Sequence, residues 1–484
     1  MTTYDRPQLF IGGEWVEPES TEEVVVNNPA TGEVVGRAAL GDSRDLAKAV
    51  DAARRTFDQG GVWRDTDPKE RGEVLRRASE LLQERADELA VGITSELGCP
   101  IWFSQAAHVP NPIRHTAYYG DLASSYEFEE VRTDGTNRSL VVQEPVGVAA
   151  GIVPWNGPLS GPSLKIAPAL AAGCSIVLKP APETPFSAYA FADVMTEAGL
   201  PKGVLSIVPA GREAGQSLVD NPGVDKIAFT GSTAAGKQIA ASAAARVARV
   251  TLELGGKSAA IVLDDADLDA TIAKLLPMAL NVNGQMCIAQ TRVLVPASRE
   301  KEVLDALAAA LESQVVGNPL DPTTTIGPLI SQRQQERVRG YISLAREEGA
   351  RVVTGGERIT MPSELANGWF VPPTLLADVN NAMRVAREEI FGPVLAVIPY
   401  GSEEEAVAIA NDSPYGLSGS VWTADADRGL AIARRIRTGM VSVNGSPQAY
   451  GSPFGGFKES GLGREMGPEG LRSYLEVKSV ALGA

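Results

Sequence analysis

The sequence predicts an α/β protein built as two lobes joined near residue 255. Three observations predict it. From Val146 onward short apolar runs alternate with helix-like segments, the pattern of a parallel sheet with crossover helices. The same alternation restarts after Gly255. The chain of 484 residues is long enough for two to three domains. With 44% hydrophobic and 21% charged residues it is globular rather than disordered, and it can bury a large core without staples.

The elements follow in order. Leu9-Phe10-Ile11 and Trp15-Val16 flank Gly12-Gly13, a hairpin signal; Val24 to Val26 and Val34-Val35 flank a second turn at Asn27 to Gly32. Helices are expected over Asp45 to Asp58 and over Asp67 to Leu97, the latter with Pro68 near its start and Gly98 after its end. Strand-like runs then lie at Val146 to Val153, Cys174 to Leu178, Val204 to Val208, Lys226 to Phe229 and Val250 to Glu253, with helices at Leu159 to Ala172 and Ser187 to Ala198. The second lobe offers Ala259 to Val262, Thr291 to Val295, Leu395 to Tyr400 and Gly439 to Val443. Glycine and proline crowd into Gly451 to Gly456 and Gly461 to Gly463, which reads as tight loops, either plain turns or loops near a site.

Composition excludes several classes. A net charge of −16 repels phosphate backbones, so no nucleic-acid partner is expected. No signal peptide is visible, and the longest apolar stretch, Ile166 to Leu178, is too short for a membrane span and contains Pro168. Three cysteines, Cys99, Cys174 and Cys287, make no disulfide framework, and a reducing cytoplasm fits best. Without Cys-x-x-Cys or a His cluster, no metal site is expected.

Candidate chemistry centres on Cys287. Cys99 and Cys174 read as small buried or capping residues, whereas Cys287 follows Asn283-Gly284-Gln285-Met286, a polar break that can present a thiol at a loop tip. A reactive thiol needs a base or an electropositive pocket. The chain has only His108 and His115, both far upstream. The alternative base is Glu253, at the end of a strand and before Leu254-Gly255-Gly256-Lys257, where α/β folds bind ligands; an ordinary surface glutamate is the competing reading. In Phe229-Thr230-Gly231-Ser232-Thr233-Ala234-Ala235-Gly236-Lys237-Gln238 a strand meets a glycine turn and an Ala-rich helix, whose first N–H groups suit a phosphate. It misses the nucleotide-hydrolase loop because Gln238 replaces the magnesium-holding hydroxyl. Lys179 and Glu183, at another strand end, can hold ribose hydroxyls or form a surface ion pair.

Taken together, these strings resemble the aldehyde dehydrogenase superfamily over essentially the whole chain. In order they are Pro154-Trp155-Asn156, Leu178-Lys179-Pro180, Phe229-Thr230-Gly231-Ser232, Leu252 to Lys257, Gly284-Gln285-Met286-Cys287, Gly327-Pro328-Leu329, Glu388 to Pro393 and Pro453-Phe454-Gly455-Gly456. Glu253 and Cys287 lie 34 positions apart, as in the family pattern. The resemblance implies a Rossmann-like cofactor domain from residues 1–122 and 146–255, an α/β catalytic domain over 256–455, and a small β oligomerisation or bridging element from 123–145 and 456–484. It implies NAD as cofactor, an aldehyde as substrate and a homodimer or homotetramer. Because Leu475 to Leu482 lacks a partner nearby in sequence, pairing with another subunit is expected to cover it.

The resemblance also implies roles. Cys287 attacks the aldehyde carbon, Asn156 and the Cys287 N–H hold the oxyanion, and Glu253 activates the water that hydrolyses the thioester. Trp155, Lys179, Glu183, Gly231, Ser232, Gly255, Glu389 and Phe391 surround the cofactor, and Lys165 contacts its adenine-side ribose or helps line its cleft. Gly157, Ser160, Gly161 and Leu164 line the substrate pocket. Where relatives carry an aromatic residue after the asparagine, Gly157 implies a roomy pocket for bulky apolar aldehydes, unless a side chain from Gln448 to Pro453 fills the gap. Where relatives carry a ribose-binding glutamate, Pro182 stands, with Glu183 one later, so NADP is expected to be accepted beside NAD. Gln290 and Thr291 depart from the commoner pair of residues after the cysteine. The rival enzyme, a coenzyme A-acylating dehydrogenase, is expected to lack Glu253; a non-catalytic protein keeping the fold is expected to lack Cys287 or Glu253.

Overall fold

A computed structural model describes residues 4–483. Strands Val148–Ile152, Ser175–Lys179, Leu205–Ile207, Lys226–Thr230 and Arg249–Glu253 run parallel. Strand Arg249–Glu253 is partly exposed at its start and Lys226–Thr230 is half-buried at its last residue, but the other three are buried throughout, as expected for strands covered by helices on both faces. In sheet order, Arg249–Glu253 is followed by Lys226–Thr230, Val148–Ile152, Ser175–Lys179 and Leu205–Ile207. The hairpin Leu9–Ile11/Glu14–Val16 closes one edge antiparallel, and Gly461–Leu462 closes the other against Arg249–Glu253. Part of the tail expected to lie in the bridging element therefore belongs to the first sheet, where it covers an otherwise open edge.

The second sheet has seven strands in the order Arg351–Thr354, Thr374–Ala377, Val394–Tyr400, Arg292–Pro296, Ala259–Val262, Gly419–Trp422 and Ser442–Val443. Only its first strand is antiparallel to its neighbour. The chain passes between the two sheets in the short stretch from Leu254 to Ser258. The second hairpin of the N-terminal region, Glu23–Asn27/Val34–Ala39, belongs to a separate three-stranded sheet.

Three expectations are corrected. The helix expected over Asp67 to Leu97 is two helices, Pro68–Glu84 and Ala86–Leu97, because Arg85 leaves helical geometry with ψ of 12°. The strand expected over Gly439 to Val443 shrinks to Ser442–Val443, because Gly439 and Met440 spend their N–H groups on the carbonyls of Gly416 and Leu417. Strand Leu475–Leu482, expected to be covered by another subunit, finds a partner far back in its own chain: it pairs antiparallel along its whole length with Arg138–Pro145, which in turn pairs with Glu129–Thr133. Its outer edge is open and carries the exposed side chains of Val477 and Val480. No helix among the described residues is long and apolar enough to cross a membrane.

Candidate active site

Strand register gathers the candidate residues. Ile152 pairs with Lys179, Phe229 with Ile152 and Thr230 with Glu253, so four parallel strands end together. Lys179 and Glu253 are the last residues of their strands, and Trp155-Asn156 and Gly231-Ser232 follow just beyond two others, the place where an open α/β sheet binds its ligand.

The cysteine arrives from the second lobe on a constrained loop. After helix Leu268–Leu280 the backbone turns left-handed at Val282 (φ 54°), Asn283 (φ 58°) and Gly284 (φ 77°). Such torsions cost energy in non-glycine residues and persist only where surroundings hold them. The Asn283 amide donates to the carbonyls of Gly98 (3.0 Å) and Pro328 (2.7 Å) and accepts from the Gly327 N–H (2.7 Å). Gln285 donates to Val282 and accepts from the Ile330 N–H. A Cβ at Gly284 would stand 2.3 Å from the Gly392 carbonyl, so only glycine fits. The Asn156 amide donates to the Gln285 carbonyl at 2.9 Å, tying the first lobe to the cysteine loop two residues before the thiol.

Cys287, Asn156, Gly157, Ser160, Gly161 and Leu164 line one cavity of about 390 Å³. A Cβ on Gly157 would meet nothing nearer than 3.5 Å, so the missing side chain leaves space rather than relieving a clash. The opposite wall includes Met440, Gln448, Tyr450 and Phe454. Tyr450 enters the cavity wall but is turned onto His115, ring centroids 5.5 Å apart, with its hydroxyl on the Asn111 carbonyl. The residues that reach the cavity from 100–115 were not expected there: Phe103, Ala107, His108, Asn111 and His115. Both histidines are buried, which pulls each imidazole down to about 4 and keeps it neutral. Neither is a suitable base near neutral pH.

Glu253 is not a surface glutamate: it is 2% exposed, and neither carboxylate oxygen has a hydrogen-bond partner. Burial pushes it up to about 8, against the pull of Lys165 and Arg464. Gly455 (φ 149°) makes room for it, since a Cβ there would come within 2.5 Å of Glu253 Oε1. Burial also pushes the Cys287 thiol up to about 12, and the carboxylates of Glu389 and Glu253 add to that rise. Lys165, expected on the ribose or lining the cofactor cleft, has protein partners. It is fully buried, donates to Thr230 Oγ1 at 2.7 Å and is ion-paired with Glu465. Glu465 and Thr230 also line the cavity; their pairing with Lys165 spans the sequence and carries no local signal.

The cofactor-side residues fall around the same strand ends. Ser232 caps helix Thr233–Ala245, its hydroxyl accepting from the Ala235 N–H at 3.3 Å, and the Gly231 N–H donates to the Glu253 carbonyl. Lys179 is buried and pulled down to about 8 by that burial, opposed by the nearby Glu183. Glu389 accepts from the Gly256 N–H at 3.1 Å; burial lifts it to about 7, and a Cβ on Gly255 would lie 2.6 Å from its oxygen. Trp155 and Phe391 stand edge to face at 5.4 Å. Buried, sparsely partnered charges beside a helix start and glycine approaches fit a dinucleotide, whose phosphates and ribose hydroxyls supply the missing partners.

Fold and site together define an α/β protein that carries a thiol on a cavity wall beside the gathered ends of a parallel sheet. The chain belongs to the aldehyde dehydrogenase family, whose model it matches over residues 15–480. It is 46% identical over 481 residues, 99% of each chain, to a protein of Castellaniella defragrans named geranial dehydrogenase. An aldehyde dehydrogenase of Mycobacterium tuberculosis solved with NAD+ superposes with a TM-score of 0.97 at 48% identity, covering 100% of this chain and 99% of that one. Another from Pseudomonas syringae, solved with NAD+ and octanal, gives a TM-score of 0.93 at 41% identity, covering 98% and 96%.

Proposed function

We propose that this chain oxidises a bulky apolar aldehyde to its carboxylic acid with NAD+ and water, through a thioester on Cys287. One observation carries the reading. The thiol on the wall of an apolar cavity has near it a buried carboxylate, Glu253, with both oxygens unpartnered and close enough to affect the thiol's titration.

The residues divide the work. Cys287 Sγ forms the bond to the aldehyde carbon as its own proton is lost to solvent, which leaves Glu253 free for the later step. The Asn156 amide and the Cys287 N–H take the charge that develops on the aldehyde oxygen. NAD, when bound, supplies the acceptor for the hydride that leaves this carbon. Gly231, Ser232, Lys179 and Glu183 would hold its phosphates and adenine-side ribose; Gly255, Glu389, Trp155 and Phe391 would hold its nicotinamide half. Glu253 then takes a proton from the water that attacks the thioester, and the acid leaves as the thiol re-forms. Transfer to coenzyme A instead of water finds no support, since the buried carboxylate has no task in that reaction.

The roomy cavity around Gly157 supports bulky apolar substrates, as do geranial and octanal, named with two relatives. The domain division expected from the sequence, with Gly461–Leu462 moved to the first sheet, a cytoplasmic location and a homo-oligomer belong to the same proposal, the last supported by the open outer edge of Leu475–Leu482. The test is cofactor reduction by purified protein over a panel of aldehydes. Geranial or an aromatic aldehyde is expected to give a higher kcat/KM than acetaldehyde; no reduction with any aldehyde, or acetaldehyde as the best substrate, overturns the reading.

A further inference from the structure

Phe103 lines two cavities: the one of about 390 Å³ that holds Cys287 and a second of about 580 Å³. Among the described residues it is the one side chain that lines both. The second cavity lies between helices Leu268–Leu280 and Glu300–Glu312 and is walled largely by apolar groups, including Ile272, Leu276, Leu280, Val282 and Ala310.

The ring is held on both sides. Trp102 meets it edge to face at 5.5 Å from the second cavity, and His108 meets it edge to face at 5.2 Å from the first. His108 is 4% exposed and its Nε2 has no polar partner, yet its ring stands at 88° to Phe103. That attitude suits an N–H resting on an aromatic face. The backbone beneath is also unusual: the one-turn helix Ile101–Phe103 runs straight into a π-type turn, Ser104–His108, a form that recurs at functional sites.

We infer that the Phe103 ring is the partition that sets how long an aldehyde the site accepts. The inference rests on the function proposed above. An alkyl tail that leads away from Cys287 ends at this ring, and removing the ring joins the two cavities into one apolar channel that takes a longer tail. Phe103 is thus a specificity residue and takes no part in bond making.

The test compares hexanal, decanal and hexadecanal on wild type, Phe103→Ala and Phe103→Leu. In Phe103→Ala the ratio of kcat/KM for hexadecanal over hexanal is expected to rise about tenfold, as two further buried methylenes would give. Phe103→Leu, which keeps more of the packing, moves the same way by less. Adding Ala310→Phe to Phe103→Ala refills the second cavity and returns the ratio toward wild type. An unchanged ratio in both Phe103 variants, or a gain that survives Ala310→Phe, overturns the inference. Binding of hexadecanoate measured by calorimetry separates it from the proposed function, because it needs no turnover. Tightening of about tenfold in Phe103→Ala supports the partition even if no aldehyde is oxidised, and no tightening overturns it.

Discussion

The two sides of the Cys287 loop are built to opposite rules. On one side Leu164, Met286, Ile288, Met440 and Phe454 make a cavity wall with little charge. On the other, Lys179, Glu253 and Lys257 are buried and Glu389 is half-buried, and desolvation moves each toward its neutral form. Folding alone gains nothing from burying sparsely partnered charges, since each costs solvation that no contact returns. The contrast marks which ligand each side receives: an apolar carbon skeleton on the first, a molecule rich in hydroxyl and phosphate groups on the second. The thiol stands where the two meet.

The largest effect is expected from removing the meeting point. Cys287→Ala should lower aldehyde oxidation by several powers of ten while NAD affinity changes by less than about threefold. Equal loss of both would mean that the loop shapes the cofactor side as well.

The next effect sharpens the charged side. Because burial raises Glu253 to about 8, its carboxylate form is the minority at lower pH and dominates above that value. Thioester hydrolysis in single turnovers should therefore rise about tenfold per pH unit at acid pH and level off above pH 8. A flat profile in the wild-type protein breaks the assignment of Glu253 as base.

Gly157→Phe tests the apolar side. The space around Gly157 admits a ring, so kcat/KM for a bulky aldehyde should fall about tenfold or more while that for a short one is spared or improved. Equal loss for both substrates would show that the cavity's volume does not select.

The smallest effect concerns the cofactor. With Pro182 in place of a carboxylate near Lys179, NADP should be used measurably, with NAD preferred by less than about a thousandfold in kcat/KM, on the order of 4 kcal/mol. A larger preference would assign the discrimination to Glu183.

The same contrast runs through what the sequence made legible. The strands of the first sheet could be read because each is an apolar run bounded by glycine, proline or a helix, and Lys179, Gly231 and Glu253 sit at their ends. Arg351–Thr354, Thr374–Ala377 and Gly419–Trp422 are strands that the sequence does not single out. Cys287 was legible from the polar break before it. Lys165 was not, because its partners Thr230 and Glu465 lie 65 and 300 residues away. His108 and His115 looked like members of a remote polar stretch, and only packing against the cysteine's cavity gives them a place. Local pattern reveals strand ends and loops; it does not reveal which distant side chains close a pocket.

The central claim is that Cys287 carries the acyl group and Glu253 removes it. The most direct measurement is intact and peptide mass spectrometry of Glu253→Gln after mixing with NAD+ and decanal. The account predicts a burst of about one reduced cofactor per site and a decanoyl group on the peptide that contains Cys287, persisting because its hydrolysis is slow. A burst with no acyl group, or an acyl group on another residue, would contradict it.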